Sequence, residues 1–321
     1  MRRLLVFVAL TAMLGAHAPA LAAPATGVSY DEVMKFSMGA DSSNVQPGDF
    51  ESDFQTASQP PPPAKGGGGM FGGLAAAMQQ AAGAMAMFKT GIAMRHYVAG
   101  TKERVEYPAM QRATITDCSA RTITNLDLKN KTYTTISMDQ PAATRSGGRS
   151  ASAPSVNDDG SKIAVNMTNQ ALGPRQVAGV ATDGYQSNVV MTVTKPTGET
   201  STSNMGLTQF LARMSQVSLV CPSAGMLGTQ GSPAAGSMSQ YAALMRAMAL
   251  SGKNPRFTTS MSGPPLPANR FPIFLVVTMS GQGRGGQNGT LAVATQRGHV
   301  ASVRSDDQVF GIPPDFTKAA Q

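Results

Sequence analysis

The sequence predicts a mainly β protein that also contains α-helices, that is, an α+β fold, and three observations carry this prediction. Over the stretch 92–138, short runs of alternating apolar and polar residues are separated by turn residues, as in an antiparallel meander. Similar runs recur between residues 162 and 205 and between residues 271 and 303. Two segments, 207–215 and 237–251, show helical spacing instead. Because neighbouring hairpins pair locally, we expect one antiparallel sheet with a buried and an exposed face.

The chain begins with the features of a secretory signal peptide, which we assign to residues 1–22. Arg2 and Arg3 form a basic start, and Leu4–Leu14 form an apolar run that is too short to span a bilayer. A small-residue cleavage motif then ends at Ala22, so the mature chain is expected to start at Ala23. The sequence therefore predicts a periplasmic or secreted protein.

The segments before and within the β region have low complexity. Residues 23–69 hold a first strand, Val28–Met38, and then an excursion with a run of Pro and a run of Gly. Residues 70–89 are rich in Gly, Ala and Met and predict a helix, either packed closely on another helix or lipid, or part of a surface excursion. Residues 140–159 form a Ser/Gly/Pro-rich flexible insertion, and residues 317–321 form a tail.

The predicted β domain covers residues 90–316. The strands of its first meander are expected at Ile92–Ala99, Lys102–Tyr107, Arg112–Cys118, Thr122–Leu128 and Thr132–Met138. Later strands are expected at Lys162–Leu172, Val177–Thr182, Tyr185–Thr194, Thr200–Met205, Phe271–Ser280, Thr290–Thr295 and Val300–Val303.

Two helices are predicted inside this domain. In the segment 207–215, the apolar residues Leu207, Phe210, Leu211 and Met214 are spaced i, i+3, i+4, i+7. The segment 237–251 begins with the capping box Ser237-x-x-Gln240 and ends before Gly252. Its apolar face consists of Tyr241, Leu244, Met245 and Met248.

Charge and composition exclude one class of partner. The formal net charge is +8 at pH 7, but the basic residues are scattered and the chain has no Trp. A nucleic-acid-binding protein concentrates its charge and interleaves aromatic residues, so we expect no nucleic-acid partner. A peripheral contact with an anionic membrane surface fits the positive charge. The 21 Met residues indicate a core or a cavity wall lined with flexible thioethers.

The chain has two cysteines, Cys118 and Cys221. Export places them where disulfides form. Cys118 ends the predicted strand Arg112–Cys118, and Cys221 ends a second predicted strand, Val217–Cys221. A disulfide between them is therefore one expectation, and two buried free thiols are the other. In the chain-entropy model, a bridge that closes a loop of this length contributes about 4–5 kcal/mol.

No catalytic set, metal site or cofactor site is predicted. The motif Gly281-x-Gly283-x-x-Gly286 leads into a strand rather than a helix, unlike a dinucleotide site. His96 and His299 lack metal-ligand neighbours at suitable spacing and lack the sequence context of a triad. We therefore expect a protein that is not an enzyme and holds no cofactor. Close methionine pairs, such as Met85 and Met87, leave Cu(I) binding as an alternative.

Several segments together resemble an exported bacterial family of unknown function with a lipoprotein-carrier-like (LolA-like) fold. They are the hairpin TITNLDLKNKTYT at Thr122–Thr134, the segment LGPRQVAGVATDGYQ at Leu172–Gln186, and the ending VFGIPPDF at Val309–Phe316. The resemblance covers about residues 90–316, apart from insertions. It implies a curved antiparallel sheet, or half-barrel, with two or three helices on its concave side, and a fold that holds acyl chains or other apolar groups.

These expectations lead to three functional hypotheses. The first is a non-enzymatic binding protein that holds an apolar, acyl-chain-like ligand or a lipidated protein between the sheet and Met-rich helices. Its groove candidates are Phe210, Met214, Leu244, Met245, Met248 and Phe274. The second is a structural or envelope-stress interaction protein with a filled core, and the third is a Cu(I)-handling protein. A hollow of about 300 Å³ or more would favour the first hypothesis.

Overall fold

The computed structural model describes residues 26–39, 45–60, 90–139, 160–215, 257–267, 270–282 and 288–319. The predicted signal peptide with its cleavage site at Ala22 and Ala23, and the predicted helices at 70–89 and 237–251, lie outside these residues. So does the predicted insertion at 140–159.

Thirteen β-strands, one α-helix and two single-turn 3₁₀ helices, Pro108–Met110 and Gln308–Phe310, make up the regular structure of the described residues. The α-helix is α1 (Phe50–Ala57). The first six strands are β1 (Thr26–Met38), β2 (Ile92–Ala99), β3 (Lys102–Tyr107), β4 (Arg112–Asp117), β5 (Thr122–Asp127) and β6 (Thr132–Ser137). The others are β7 (Lys162–Val177), β8 (Val180–Thr194), β9 (Thr200–Ser215), β10 (Phe257–Ser262), β11 (Arg270–Gln282), β12 (Asn288–Arg304) and β13 (Thr317–Lys318).

All thirteen strands belong to one mixed sheet in the order β10-β7-β8-β9-β11-β12-β1-β2-β3-β4-β5-β6-β13. Only the two outermost pairs, β10 with β7 and β13 with β6, are parallel. The first strand of the chain, β1, lies between β12 and β2 and joins the two halves of the sheet. The prediction of an α+β fold with two or three helices is therefore wrong, because the described chain is mostly one large sheet with a single α-helix.

The predicted helix at 207–215 is the end of strand β9. This strand pairs with β8 on one side and with β11 on the other. Towards its end both of its faces are covered, so Leu207, Phe210, Leu211 and Ala212 are all buried. A strand that is buried on both faces shows no simple alternation, and its apolar residues can fall at helical spacing by coincidence.

The five strands of the first meander form as predicted, because their turns have strong local chemistry. Asp117 precedes the β4–β5 turn, and its carboxylate accepts hydrogen bonds from the backbone N–H groups of Ser119 and Ala120. Asp127 accepts in the same way from Asn130 before β6. Each turn ends at a residue with positive φ, Arg121 or Lys131. Asx-type turns of this kind fix the register of the hairpins.

Helix α1 was not predicted, although its signal is local. Asp49 caps it by accepting hydrogen bonds from the N–H groups of Glu51 and Ser52. Its buried residues Phe50, Phe54 and Ala57 are spaced i, i+4, i+7 and pack against Val33 and Ala93. The helix lies on one face of the sheet, which we call the helix face, at strands β12, β1 and β2.

The sheet bends over α1. Ala178, in the β7–β8 turn, packs against the cluster that α1 forms with β1 and β2. In sheet order, four strands separate β7 from β1, which would place them ~24 Å apart in a flat sheet. The contact therefore requires the sheet to curl. Ala178 also packs against the largest core cluster, which includes Phe271, Ile273 and Phe274.

Candidate functional site

A row of apolar side chains crosses seven strands on the face opposite the helix face, and we call it the methionine row. Each member is the direct cross-strand partner of the next. In order, the row is Met38, Leu291, Met279, Met205, Val189, Met167 and Met261. Six steps of ~4.8 Å make it ~29 Å long. Such a row places flexible, polarizable thioethers in one continuous line.

The exposure of the row changes along its length. Met261 and Met38, at its two ends, are 66% and 70% exposed. Met205 and Met279, near its middle, are half-buried, whereas Val189 and Met167 are buried. Beside it, Leu207, Val277 and Val293 form a buried apolar layer. This apolar face is therefore accessible at the two ends of the row and partly accessible at Met205 and Met279.

In the described part of the chain, no helix packs on the methionine row. Helix α1 lies on the opposite face, and the cluster of Val165, Met167 and Val189 is made of strand residues alone. No helix of the described residues is long and apolar enough to cross a membrane.

A charged cluster interrupts the same face at the other end of β1. The side chains of Glu32 and Arg297 form an ion pair with a distance of 2.7 Å between Oε2 and Nε. The Arg297 guanidinium lies 5.0 Å from the centre of the Tyr30 ring and 5.1 Å from that of Phe271, and it donates to the Pro272 carbonyl. This arrangement satisfies a buried cation with a carboxylate, a carbonyl and two ring faces.

Burial and charge act against each other in this cluster. Burial alone would raise the pKa of Glu32, but the neighbouring Arg297 and His96 outweigh it and lower that pKa. Burial would lower the pKa of Arg297, yet Glu32 raises it. Burial raises the pKa of Tyr30. All three groups therefore keep their ordinary neutral-pH states, with Glu32 and Arg297 charged and Tyr30 protonated.

His96 lies in the centre of the charged cluster without a hydrogen bond. Its ring stacks on Tyr30 with 4.7 Å between ring centres. Its Nε2 is 3.9 Å from a Glu32 oxygen, and its Nδ1 is 3.9 Å from a Glu103 oxygen. Both nitrogens are buried and have no hydrogen-bond partner. The geometry holds the ring between two carboxylates but does not orient it as a general base.

A second histidine, His299, holds α1 against the sheet. It contacts Asp31 on β1 at 2.9 Å and Glu51 on α1 at 2.5 Å. The hydrogen bond to Asp31 is the main cause that raises the pKa of His299. Lys35 adds an ion pair to Asp53 of α1. These contacts tie the helix to β1 and β12 by charge as well as by packing.

The structure places the predicted groove residues in different environments. Phe210 and Phe274 are 4% and 2% exposed and pack together in the largest core cluster, with Met214 half-buried beside them. They fill the core rather than line a groove. Leu244, Met245 and Met248 lie outside the described residues. Cys118 is disulfide-bonded, and its predicted partner Cys221 lies outside the described residues.

A small hollow lies on the helix face, behind the methionine row. Its volume is about 230 Å³, and its walls include Gln186, Asn188, Asn204, Thr278 and Ser280. Gly206 lies between Asn188 and Thr278, its partners on the two neighbouring strands. A Cβ atom on Gly206 would meet the Thr278 hydroxyl at 2.3 Å. Gly206 therefore allows the Thr278 side chain to lie close against β9, and the lining of the hollow is polar.

Sequence reasoning found neither the methionine row nor the charged cluster. Both are assembled from strands that are far apart in the chain, so no local sequence pattern predicts them. The composition signal, many Met and no Trp, pointed to thioether-lined surfaces but not to their positions. Among the described residues, no group of three His, Cys, Asp or Glu side chains is arranged to hold a metal ion.

Comparisons with protein-family models, with curated proteins and with solved structures find no significant match. The resemblance to the lipoprotein-carrier-like family therefore stays a prediction.

Proposed function

We propose that this chain is an exported, non-enzymatic binding protein that holds an apolar, acyl-chain-like group, either a free lipid or the lipid of a modified protein. The methionine row is the single observation that carries the proposal. Five of its seven members are Met, and they form one line across the sheet. Met side chains adapt to irregular apolar surfaces, which suits ligands of varied chain length.

The binding energy in this proposal comes from covering the exposed and half-buried thioethers of the row. A chain lying along the row would remove the exposed parts of Met38, Met205, Met261 and Met279 from water. Each 100 Å² of apolar surface buried contributes about 2.5 kcal/mol before association costs. The methionine row differs from the groove predicted from the sequence, because Phe210 and Phe274 of that groove are buried in the core.

The test is uptake of a fluorescent fatty acid, cis-parinaric acid, by the purified mature chain. The double variant Met205→Gln/Met279→Gln replaces two directly paired members of the row with polar side chains of similar size. We expect it to weaken binding about tenfold or more. Met110→Gln, in the turn Pro108–Met110 and 39% exposed, is the matched control and should bind as the parent does.

The second candidate is a structural or envelope-stress interaction protein with a filled core. One observation favours it, since the 230 Å³ hollow is polar and is smaller than the ~300 Å³ expected of a ligand pocket. It predicts no uptake of parinaric acid by the parent chain. It also predicts that deleting residues 66–87 abolishes capture of a protein partner.

Cu(I) is the competing ligand for the row, because Met205 and Met279 are directly paired thioethers. A Cu(I) titration against a colorimetric chelator separates the two ligands. Binding no tighter than that of a free Met peptide removes the copper hypothesis. Fatty-acid uptake that survives in the presence of Cu(I) supports the lipid proposal.

A further inference from the structure

The helix face of the β10–β11 half of the sheet is polar, and the side chains that line its hollow carry no charge. Two charged residues of this face, Lys162 and Arg175, lie towards the two ends of β7. Its side chains on β7, β8 and β9 include Asn166, Thr168, Gln170, Gln186, Asn188, Thr192, Thr202, Asn204 and Thr208, and β11 adds Thr278 and Ser280. A solvent-facing surface normally holds many Lys, Arg, Asp and Glu residues. Depletion of charge is instead typical of interaction surfaces.

The hollow above Gly206 is the concave part of this face. Asn188 and Asn204 are exposed at its rim. Neither side-chain amide makes a hydrogen bond to another described residue, so their donors and acceptors point to a ligand or to water. The Ser280 hydroxyl donates weakly, at 3.4 Å, to the backbone carbonyl of Asn204. The groove therefore offers amide and hydroxyl groups in a fixed frame of four hydrogen-bonded strands.

We infer that this groove binds a neutral, polyhydroxylated ligand, with a sugar ring of an oligosaccharide in the hollow. Amides and hydroxyls can each donate and accept, which matches the alternating donors and acceptors of sugar hydroxyls. The absence of charge from the lining of the hollow disfavours ionic ligands there, and the polar walls disfavour acyl chains. At roughly 30 Å³ per water, the hollow of about 230 Å³ has room for one ring but not for two.

The face continues beyond the hollow to the edge of the sheet, which suits a chain of several sugars. On β10, the Ser260 hydroxyl donates to Asn166, and the Ser262 hydroxyl donates to Thr168. These contacts extend the polar surface across β7 to β10. A ligand of several rings would therefore lie across the strands, parallel to the methionine row but on the opposite face.

The experiment is an NMR titration of the ¹⁵N-labelled chain with maltohexaose and with chitohexaose. We expect dose-dependent shifts of the backbone amides at 186–188, 204–206 and 278–280 with at least one of the two. Asn188→Ala/Asn204→Ala should weaken that binding about tenfold or more, which corresponds to 1.4 kcal/mol. Gly206→Ala, whose Cβ atom would displace the Thr278 hydroxyl in the lining, should weaken it as well.

The matched control is Asn125→Ala on β5, an exposed Asn several strands away from the groove in the sheet, which should leave the titration unchanged. Fatty-acid uptake should also be unchanged in the Asn188→Ala/Asn204→Ala variant, so this inference and the proposed function fail separately. Shifts only with the anionic hexagalacturonate would show attraction to the basic chain and overturn the inference. So would no shift with either neutral hexamer, or equal binding by the double variant.

Discussion

Glu32 and Arg297 are direct partners across the β1–β12 pair, and their side chains form a 2.7 Å ion pair in an almost fully buried environment. The pair lies on the same face as the methionine row. Since the N-terminal strand and the last long strand of the chain meet here, the ion pair connects the two halves of the sheet at their junction.

Removing one partner of this ion pair should be strongly destabilising. Glu32→Gln keeps the shape of the side chain but leaves Arg297 charged and buried without a counter-ion, which costs about 3–5 kcal/mol. We expect that loss in the free energy of unfolding, measured by urea denaturation. Asp315→Asn is the matched control, because Asp315 pairs with Lys131 at the surface and its change should be unmeasurable.

A double variant then separates charge from packing at the same position. In Glu32→Gln/Arg297→Met neither charge of the pair remains, so a large part of the lost stability should return. If Glu32→Gln alone unfolds at the parent's urea concentration, the buried ion pair does not stabilise the junction. In the parent, the stability that Glu32 contributes should also be lost as the pH falls through the lowered pKa of Glu32, since protonation breaks the ion pair.

The contact of His299 with α1 should make stability depend on pH in the opposite direction. Because folding raises the pKa of His299, its contribution is complete below the unfolded value of about 6.5 and is lost as the pH rises through the folded pKa. The side chain is half exposed, so the effect is screened to about 0.5–1 kcal/mol. We expect the urea concentration at the unfolding midpoint of the parent to decrease as the pH is raised from 6 to 9.

His299→Asn tests this dependence, because His299 has a φ of 51° and Asn tolerates that left-handed conformation. The difference in stability between the parent and His299→Asn should be largest at pH 6 and should shrink towards pH 9. A difference that stays constant over this range would show that His299 acts through packing alone. The NMR titration of the His299 ring should give a pKa above that of a free histidine.

The docking of α1 also depends on a close approach of Phe50 to strand β12. A Cβ atom on Gly298 would meet the Phe50 ring at 2.5 Å. Gly298→Ala should therefore force the helix away from the sheet and reduce stability by about 1–3 kcal/mol. Faster hydrogen exchange at residues 50–57 would show the displacement. Gly311→Ala, where the nearest atom is 3.3 Å away, is the control and should leave exchange in α1 unchanged.

The strands of this fold could be predicted largely because their signals are local. Alternation and Asx turns specify β2 to β6 with bounds that differ from the prediction by one residue at most. The prediction failed where burial on both faces hides the alternation, as in the end of β9 around Leu207 and Phe210. It also failed where a true helix signal, Asp49 followed by Phe50 and Phe54, lies next to a low-complexity run.

The candidate site could not be predicted from local sequence patterns, for a different reason. The methionine row joins residues as distant in sequence as Met38 and Met261, and it appears only when the strand order and every register are known. Sequence could name the side-chain chemistry, since Met is abundant, but not its geometry. The same holds for Glu32 and Arg297, which are 265 residues apart.

The bonded state of Cys118 leads to a last prediction. Cys118 directly follows β4 and is disulfide-bonded, and the sequence predicts Cys221 as its partner. Peptide mapping without reduction should recover one linked pair of peptides that contains Cys118 and Cys221. Reduction should lower the free energy of unfolding by about 4–5 kcal/mol in the chain-entropy model. Cys118→Ser/Cys221→Ser should match the reduced parent, and a covalent dimer on a non-reducing gel would contradict the intramolecular pairing.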